Sequence, residues 1–266
     1  MDVVRIRNAT IVVEAYMGQV VLITGGTSGI GQMTAELFLQ QNYQVAIMGR
    51  DSDKGQQVVH GFLQNYPQAR IEYIQGDVAR TADCAKAVEQ VVGWGGSLDI
   101  LINSAGRYFE KALEDVSEDD FDAMLGINLK GTVFMTKYAV IQMKKQGAGS
   151  IVNISSDAGL HGNMLCSTYC ASKGGVNMFT KAMALELGPY GIRINAVCPG
   201  DVLTPLTEAQ LEQYPDRQAA LQEMASVYPL GRIAKVNEVT EVVCFLAGPK
   251  ASFVNGALWS VDGGLT

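Results

Sequence analysis

The sequence predicts an α/β protein, built as a single-domain, doubly wound parallel sheet of about seven strands with helices on both faces. Seven short runs rich in Val, Ile and Leu alternate along the chain with longer amphipathic stretches. The runs are apolar throughout, as expected for strands that are covered on both faces. Alternation of strand and helix is typical of parallel sheets joined by helical crossovers. No linker rich in Pro, Gly or Ser divides the chain, so one domain over 17–266 is the simplest organisation.

The predicted elements follow this alternation in order. Strands are expected at 20–24, 44–48, 71–75, 98–102, 150–154, 192–197 and 257–261. Helices are expected at 29–42, 53–65, 81–93, 118–146, 168–188 and 235–247. Residues 204–228 break the pattern, because they are polar, acidic and interrupted by Pro205 and Pro215. A long excursion near the carboxyl ends of the strands indicates a substrate lid, with an ordinary surface insertion as the alternative.

Composition narrows the class of protein. The 266 residues are 48% hydrophobic and 18% charged, which excludes a disordered or fibrous chain. The net charge of −7, with no Lys/Arg cluster, argues against a nucleic-acid partner. No apolar run approaches the ~18 residues of a membrane span, so no membrane partner is expected. Residues 1–16 precede what resembles a natural start at Met17 and form an N-terminal extension of unknown structure.

The five cysteines indicate a reducing compartment. They are odd in number and show no Cys-x-x-Cys spacing, which favours free thiols in the cytoplasm over a disulfide framework. His60 and His161 are the chain's only histidines, so the sequence offers no credible zinc ligand set. We therefore expect a cytoplasmic protein without a metal site.

A glycine-rich turn follows the first predicted strand. It reads Thr24-Gly25-Gly26-Thr27-Ser28-Gly29-Ile30-Gly31 and leads into a predicted helix. Gly25 permits a tight turn, while Gly29 and Gly31 let the backbone approach a phosphate and let the helix pack on the strand. The amides and dipole at the helix N-terminus then face negative charge. The spacing G-x3-G-x-G is a variant of the dinucleotide fingerprint, so Thr27, Ser28 and Ile30 join the candidate cofactor residues.

The end of the second predicted strand bears on which dinucleotide binds. A carboxylate about 20 residues past the glycines binds the ribose 2′-hydroxyl of NAD, whereas a nearby Arg accommodates the 2′-phosphate of NADP. Gly49 occupies the position where the carboxylate is expected, and Arg50 follows directly. Arg suits phosphate because its fork can bond bidentately. NADP(H) is therefore favoured, with NAD(H) as the alternative because Asp51 could reach a ribose hydroxyl.

Two further strand ends are candidate cofactor contacts. Asp77-Val78 closes the third strand, where a carboxylate can accept a hydrogen bond from the adenine amino group. Asn103-Ser104-Ala105-Gly106 closes the fourth strand, where small residues allow the chain to bend past the cofactor. Taken alone, either motif is equally well explained as a strand-end turn.

Tyr169 and Lys173 carry the strongest chemical signal in the sequence. On a helix, a spacing of four residues places both side chains on one face. A lysine ammonium beside a phenol favours the phenolate and lowers the tyrosine pKa from about 10 toward working pH. A tyrosine tuned in this way is a general acid or base. Ser156 ends an apolar strand-like run and could hold the oxygen that Tyr169 protonates.

Together these motifs resemble the short-chain dehydrogenase/reductase family from Val20 to Gly264. The motifs are Thr24-Gly-x3-Gly-x-Gly31, Asp77-Val78, Asn103-Ser-Ala-Gly106, Asn128, Ile154-Ser155-Ser156, Tyr169-x3-Lys173, Pro199-Gly200 with Thr204, and Val261-Asp262-Gly263-Gly264. Ser104 departs from the family pattern, which more often has a second asparagine there. The resemblance implies a Rossmann-type fold and hydride transfer between a nicotinamide and a small carbonyl or alcohol substrate.

The resemblance also implies a role for each site residue. Tyr169 would pass a proton to the carbonyl oxygen. Ser156 would hydrogen-bond that oxygen, chosen over Ser155 by the thirteen-residue step to Tyr169. Lys173 would lower the tyrosine pKa and bind the nicotinamide ribose, and Asn128 would hold a water behind Lys173. Contacts around the nicotinamide are implied at Pro199, Gly200, Val202 and Thr204, the last to the carboxamide.

The sequence thus predicts an NADP(H)-dependent oxidoreductase acting on a ketone or secondary alcohol. The alternatives are an NAD(H)-dependent polyol or sugar-acid dehydrogenase of the same family, and a dinucleotide-binding sensor without turnover. The family pattern implies a homo-oligomer, a tetramer or a dimer. His161 and Asp157 lie in a loop expected to edge the active site, and Tyr108 and Tyr228 are expected to add apolar contacts to the substrate.

Overall fold

The computed structural model describes residues 18–266, so the predicted extension at 1–16 lies outside the described residues. The strands of the main sheet are β1 (Val20–Thr24), β2 (Gln44–Gly49), β3 (Ile71–Gln75), β4 (Ile100–Asn103), β5 (Gly149–Ile154), β6 (Ile192–Pro199) and β9 (Leu258–Val261). These seven strands are parallel and lie in the order β3-β2-β1-β4-β5-β6-β9. A separate short pair joins β7 (Val202–Leu203) to β8 (Ala234–Lys235). The predicted seven-stranded parallel sheet is confirmed.

Helices lie at the six predicted places, and two further helices lie within 204–228. They are α1 (Gly29–Gln40), α2 (Ser52–Asn65), α3 (Thr81–Gly95), α4 (Glu118–Leu125), α5 (Thr132–Gln146), α6 (Ser167–Leu187), α7 (Pro205–Leu211), α8 (Arg217–Ser226) and α9 (Val236–Ala247). The predicted helix over 118–146 is helical throughout, but a π-helical turn at Gly126–Gly131 lies between α4 and α5. Over residues 18–266, no helix is both long and apolar enough to cross a membrane.

Each face of the sheet carries its own hydrophobic core. Successive side chains on a strand point to opposite faces, so Leu22 packs on one side and Ile23 on the other. The first core adds residues of α3, α5 and α6, among them the fully buried Met135. The second core adds residues of α1 and α9, among them Phe38 and Val243. Because both faces are covered, both side-chain sets of a strand must be apolar, and this explains the unbroken apolar runs in the sequence.

The strand order reverses between β1 and β4. From β1 the chain builds outward through β2 to β3, and it then returns to pair β4 with the other side of β1. Such a reversal leaves a crevice at the carboxyl ends of the two strands, where ligands bind in open α/β sheets. The Thr24 hydroxyl oxygen accepts hydrogen bonds of 3.1 Å from the amides of Ser104 and Ala105. This pair of bonds fixes the two walls of the crevice against each other.

All five cysteines are free thiols. Cys84, Cys166 and Cys198 are buried, whereas Cys170 and Cys244 are partly exposed. This matches the expectation of thiols without a disulfide framework.

Arg193 on β6 ties the sheet to the end of α9. Its guanidinium donates to the carbonyl oxygens of Leu246, Ala247 and Gly248 at 2.8, 3.1 and 3.0 Å, and to the Ser150 hydroxyl at 3.0 Å. Carbonyls in the last turn of a helix lack partners within that helix. A cation at this end also complements the helix dipole. One partly buried side chain therefore closes the C-terminus of a core helix.

We expect Arg193→Met to lower the free energy of unfolding by about 3 kcal/mol, because buried carbonyls would lose their donors. The matched control is Arg217→Met, whose guanidinium pairs only with the exposed Glu208. That control should lose less than about 1 kcal/mol. Urea denaturation of the two variants measures the difference, and equal losses would contradict the role assigned to Arg193.

Candidate active site

The glycine turn forms a cradle at the N-terminus of α1. Gly25 and Gly29 have φ of +66° and +51°, in the left-handed region that favours glycine. A side chain at Gly31 would collide with the carbonyl oxygen of Gly25. The N-cap residue Ser28 makes no capping hydrogen bond, and the first turn carries no acidic residue. The first amides of α1 are thus left for an anionic group, and the cradle fits the pyrophosphate of a dinucleotide.

The end of β2 carries the residues predicted to distinguish NADP(H) from NAD(H). A Cβ at Gly49 would lie 3.0 Å from the Thr27 methyl carbon, so Thr27 fills the space that a carboxylate at position 49 would need. Asp51 caps α2, with its Oδ1 accepting a 3.0 Å bond from the amide of Lys54. Arg50 is exposed, and its guanidinium makes no ion pair with any residue the structure describes.

The predicted cofactor residues at the ends of β3 and β4 differ in how far their side chains are exposed. Asp77 stays at the strand end, where its Oδ1 accepts a 3.0 Å bond from the amide of Ala79. Val78 is buried. The Asn103 side chain turns into the core and donates a 2.9 Å bond to Asn153 Oδ1, so any contact it makes at the crevice is through its backbone. Of these three residues, only Asp77 has a side chain that is partly exposed and can contact a ligand.

The structure brings Ser156, Tyr169 and Lys173 together at the carboxyl end of β5. Ser156 follows this strand directly, while Tyr169 and Lys173 lie on the first two turns of α6. Lys173 Nζ lies 5.6 Å from the centre of the Tyr169 ring and donates a 2.8 Å hydrogen bond to the carbonyl oxygen of Ile154. A hydrogen-bonding interaction with Ser156 acts on the Tyr169 phenol and lowers its pKa.

Burial sets the protonation of both groups on α6. It raises the pKa of Tyr169, and this effect exceeds the lowering by Ser156. It also lowers the pKa of Lys173 from 10.5 to about 8. The sequence predicted a lowered tyrosine pKa, and the structure gives the opposite direction because the phenol is desolvated. Tyr169 therefore holds its proton, while Lys173 exchanges a proton near pH 8.

Asn128 lies in the π-helical turn and anchors the chain that follows β4. Its Oδ1 accepts a 2.8 Å bond from the amide of Arg107, and its Nδ2 donates to the Arg107 carbonyl and the Ser172 hydroxyl at 2.9 and 3.0 Å. A Cβ at Gly106 would lie 3.7 Å from Asn128 Oδ1 and 4.0 Å from Lys173 Nζ. Gly106 therefore lies near both Asn128 and Lys173, and the predicted water between these two residues stays a prediction.

The segment after β6 meets the glycine turn. Pro199 ends β6, Gly200 follows it, and Val202 is buried in β7. Thr204 caps the N-terminus of α7. A Cβ at Gly29 would lie 3.6 Å from the Thr204 Cβ. The start of the predicted lid therefore borders the cofactor cradle, as a contact to the nicotinamide end requires.

The predicted lid at 204–228 is helical. It consists of α7 and α8, which are joined by a bidentate ion pair between Arg217 and Glu208 with a shortest distance of 2.8 Å. The segment ends at Tyr228, which is buried and whose hydroxyl oxygen accepts a 2.7 Å bond from the amide of Asp201. The Tyr228 hydroxyl therefore links the end of the predicted lid to the segment that follows β6.

Tyr108 is a site residue whose role the sequence did not reveal. Its ring meets Tyr169 edge-to-face, with centroids 4.9 Å apart and planes at 87°. Its hydroxyl contacts Glu110 and lies 3.4 Å from Cys166 Sγ. Burial raises the pKa of Tyr108. No spacing rule links positions 108 and 169, so only the fold could have revealed that Tyr108 covers the Tyr169 ring.

A doubly wound sheet with a glycine turn at its switch point and a Ser–Tyr–Lys group beside it defines a dinucleotide-dependent oxidoreductase. Residues 25–266 match a family model described as enoyl-(acyl carrier protein) reductase. The chain belongs to the short-chain dehydrogenase/reductase family.

Three known proteins illustrate the similarity. The chain is 40% identical over 248 residues to a 3-oxoacyl-[acyl-carrier-protein] reductase from Thermotoga maritima, covering 93% of this chain and 98% of that protein. Its structure resembles a crystal structure of levodione reductase with a TM-score of 0.89, at 31% identity and covering 94% and 98% of the two chains. It resembles ElxO with bound NADP with a TM-score of 0.87, at 33% identity and covering 94% and 99%.

The lowered pKa of Lys173 makes stability depend on pH. Between pH 8 and 10.5 the unfolded chain binds a proton that the folded chain has released, so the free energy of unfolding rises with pH across this window. From about pH 7 to pH 10, the cofactor-free protein should gain up to about 3 kcal/mol relative to Lys173→Met. Urea denaturation at the two pH values measures the gain, and parallel pH profiles of the two proteins would refute it.

Proposed function

We propose that this protein is an NADP(H)-dependent oxidoreductase that transfers a hydride between the nicotinamide and a ketone or secondary alcohol. One observation carries the proposal: Ser156, Tyr169 and Lys173 lie together beside a crevice whose glycine cradle fits a pyrophosphate. The reductase names of the relatives support the same class of reaction.

The chemistry follows from the protonation of the site. When bound, the nicotinamide supplies the hydride in reduction and accepts it in oxidation. In reduction, Tyr169 gives its proton to the carbonyl oxygen as the carbon–oxygen π bond becomes a C–H and an O–H bond. The raised pKa of Tyr169 keeps that proton in place until the oxygen becomes basic. Lys173, with its pKa of about 8, can hold the proton that is then returned to Tyr169.

Three observations favour NADP(H) over NAD(H). Thr27 fills the place of a ribose-binding carboxylate at Gly49, the Asp51 carboxylate is engaged in capping α2, and the Arg50 guanidinium is exposed beside them. The NADP bound to ElxO, a structural relative, supports the same choice. An NAD(H)-dependent polyol or sugar-acid dehydrogenase is the alternative within the family.

We further propose that the protein works in the cytoplasm as a homo-oligomer, a tetramer or a dimer. Large apolar side chains are exposed on the helices flanking the sheet, with Met178 at 64% and Leu185 at 83% exposure on α6. Exposed apolar patches of this kind mark association surfaces. The mass in solution from light scattering tests this, and a monomer would refute it.

Arg50→Ala should raise the dissociation constant of NADPH about tenfold or more, because a charge-assisted bond to the 2′-phosphate would be lost. The affinity for NADH should stay within about twofold. Fluorescence titration with each nucleotide measures both values. Arg70→Ala is the matched control. Arg70 lies just before the amino end of β3, where it stacks on Trp94, whereas Arg50 follows the carboxyl end of β2. This variant should leave both affinities unchanged. Equal losses of affinity for NADPH and NADH in the Arg50 variant would contradict the role of Arg50 as the 2′-phosphate partner and favour Asp51 as the residue that binds the ribose.

Tyr169→Phe should lower kcat at least about 100-fold, the effect expected when a general acid/base is removed. NADPH binding should persist, which separates loss of chemistry from loss of folding. Tyr190→Phe serves as the control, because Tyr190 is exposed and stacks with Lys144. Near-full activity of the Tyr169 variant would disprove its role. Cofactor binding without turnover of any carbonyl substrate by the unmodified protein would instead support a dinucleotide sensor.

A further inference from the structure

Side chains of β3 hold the backbone that carries Arg50. The hydroxyl of Tyr73 donates to the carbonyl oxygens of Gly49 and Asp51, both at 2.9 Å. These two residues lie on either side of Arg50. Gln75 Nε2 donates a 3.2 Å hydrogen bond to the carbonyl oxygen of Arg50 itself. Three successive carbonyls, which together form what we call the Arg50 loop, thus accept from side chains of the neighbouring strand.

The Tyr73 hydroxyl bridges two peptide groups with one proton. A phenol has a single O–H, so the two acceptors share it in a three-centre hydrogen bond. Burial, followed by the charge of Asp51, raises the pKa of Tyr73, so the hydroxyl keeps the proton that it donates. The two carbonyls belong to residues two positions apart, and the bridge fixes the course of the chain between them. The position of the Arg50 Cα is therefore set from β3.

Gly55 on α2 makes room for this tyrosine. A Cβ at Gly55 would lie 2.1 Å from Tyr73 Cε2, far inside van der Waals contact. The Tyr73 ring therefore packs directly against the backbone of α2, and only 9% of the residue is exposed. Glycine destabilises a helix relative to other residues, and here its missing side chain is what lets the ring reach the Arg50 loop.

The side chain of Arg50, in contrast to its backbone, is free. Arg50 is exposed, and among residues 18–266 none forms an ion pair with its guanidinium. The neighbouring Asp51 carboxylate accepts a bond from the amide of Lys54. A free guanidinium on a fixed backbone is a preorganised binding group, because the chain beneath it need not be ordered again when an anion binds.

We propose that Tyr73 and Gln75 are positioning residues that set the preference for NADP(H) over NAD(H), because they hold Arg50 where the 2′-phosphate of the cofactor binds. This inference rests on the proposed function, in which Arg50 is the 2′-phosphate partner. NADH carries no phosphate on that ribose, so its affinity gains nothing from an ordered Arg50. The hydrogen bonds from β3 therefore act on the choice between the two nucleotides and not on dinucleotide binding as a whole.

Tyr73→Phe tests this inference, because it removes the hydroxyl and keeps the ring. The Gly49 carbonyl keeps a 2.9 Å bond from the amide of Gly76. The Asp51 carbonyl keeps a 3.0 Å bond from the amide of Gly55. The variant should therefore fold and bind NADH within about twofold of the unmodified protein, whereas its dissociation constant for NADPH should rise about fivefold, as expected for one lost hydrogen bond. Fluorescence titration with each nucleotide gives the ratio of the two constants.

Two comparisons separate an action through Arg50 from a general loss of order. Adding Tyr73→Phe to Arg50→Ala should change the NADPH affinity no further, because the side chain to be positioned is absent. Tyr66→Phe is the matched control, because its hydroxyl donates to Glu36 at 2.9 Å, and it should leave both affinities unchanged. Gln75→Met is the second variant, since Gln75 is exposed, and it should lower NADPH affinity selectively even if the Tyr73 variant fails to fold.

The outcomes separate the inference from the proposed function. Equal losses of affinity for NADPH and NADH in the folded variants at positions 73 and 75, or no loss for either nucleotide, would overturn the positioning role. So would a further loss when Tyr73→Phe is added to Arg50→Ala. An Arg50→Ala variant that binds NADPH as tightly as the unmodified protein would overturn both the role of Arg50 and the inference that rests on it. Undiminished turnover by Tyr169→Phe would overturn the proposed reaction alone.

Discussion

Because the strands of the central sheet are parallel, their carboxyl ends form one edge, and every candidate site residue depends on that alignment. The reversal of strand order between β1 and β4 opens the crevice at this edge. The hydroxyl of Thr24 ties its two walls together. The glycine cradle, Arg50 and Ser156 all follow the carboxyl ends of strands, so groups far apart in sequence lie along one edge of the sheet.

The second dependence is the burial of the start of α6. Lys173 is buried and Tyr169 is partly buried, and this burial raises the pKa of the phenol and lowers the pKa of the ammonium to about 8. The carbonyl of Ile154 holds Lys173 in place. The shift of Lys173 costs stability at neutral pH, because the folded chain disfavours the ammonium that the unfolded chain carries.

The sequence was sufficient to predict the sheet. Strands with helices on both faces must be apolar throughout, and such runs can be recognised from neighbouring residues alone. The sequence was insufficient to predict the π-helical turn within 118–146. The π-helical turn places Asn128 against Arg107, and Gly131 packs on Val78, contacts that no helical periodicity encodes. It also gave the wrong direction for the Tyr169 pKa, since the spacing shows a neighbouring lysine but not the burial that raises this pKa.

By itself, the sequence determined the parallel α/β architecture, the glycine turn and the Ser156, Tyr169 and Lys173 group, because each is specified by residue types at short spacing. The tertiary structure alone decided what surrounds that group. Tyr108 covers the Tyr169 ring from a distant loop, and Thr27 closes the space at Gly49. These contacts arise from the packing of segments far apart in the chain, and no local pattern records which side chains will meet there.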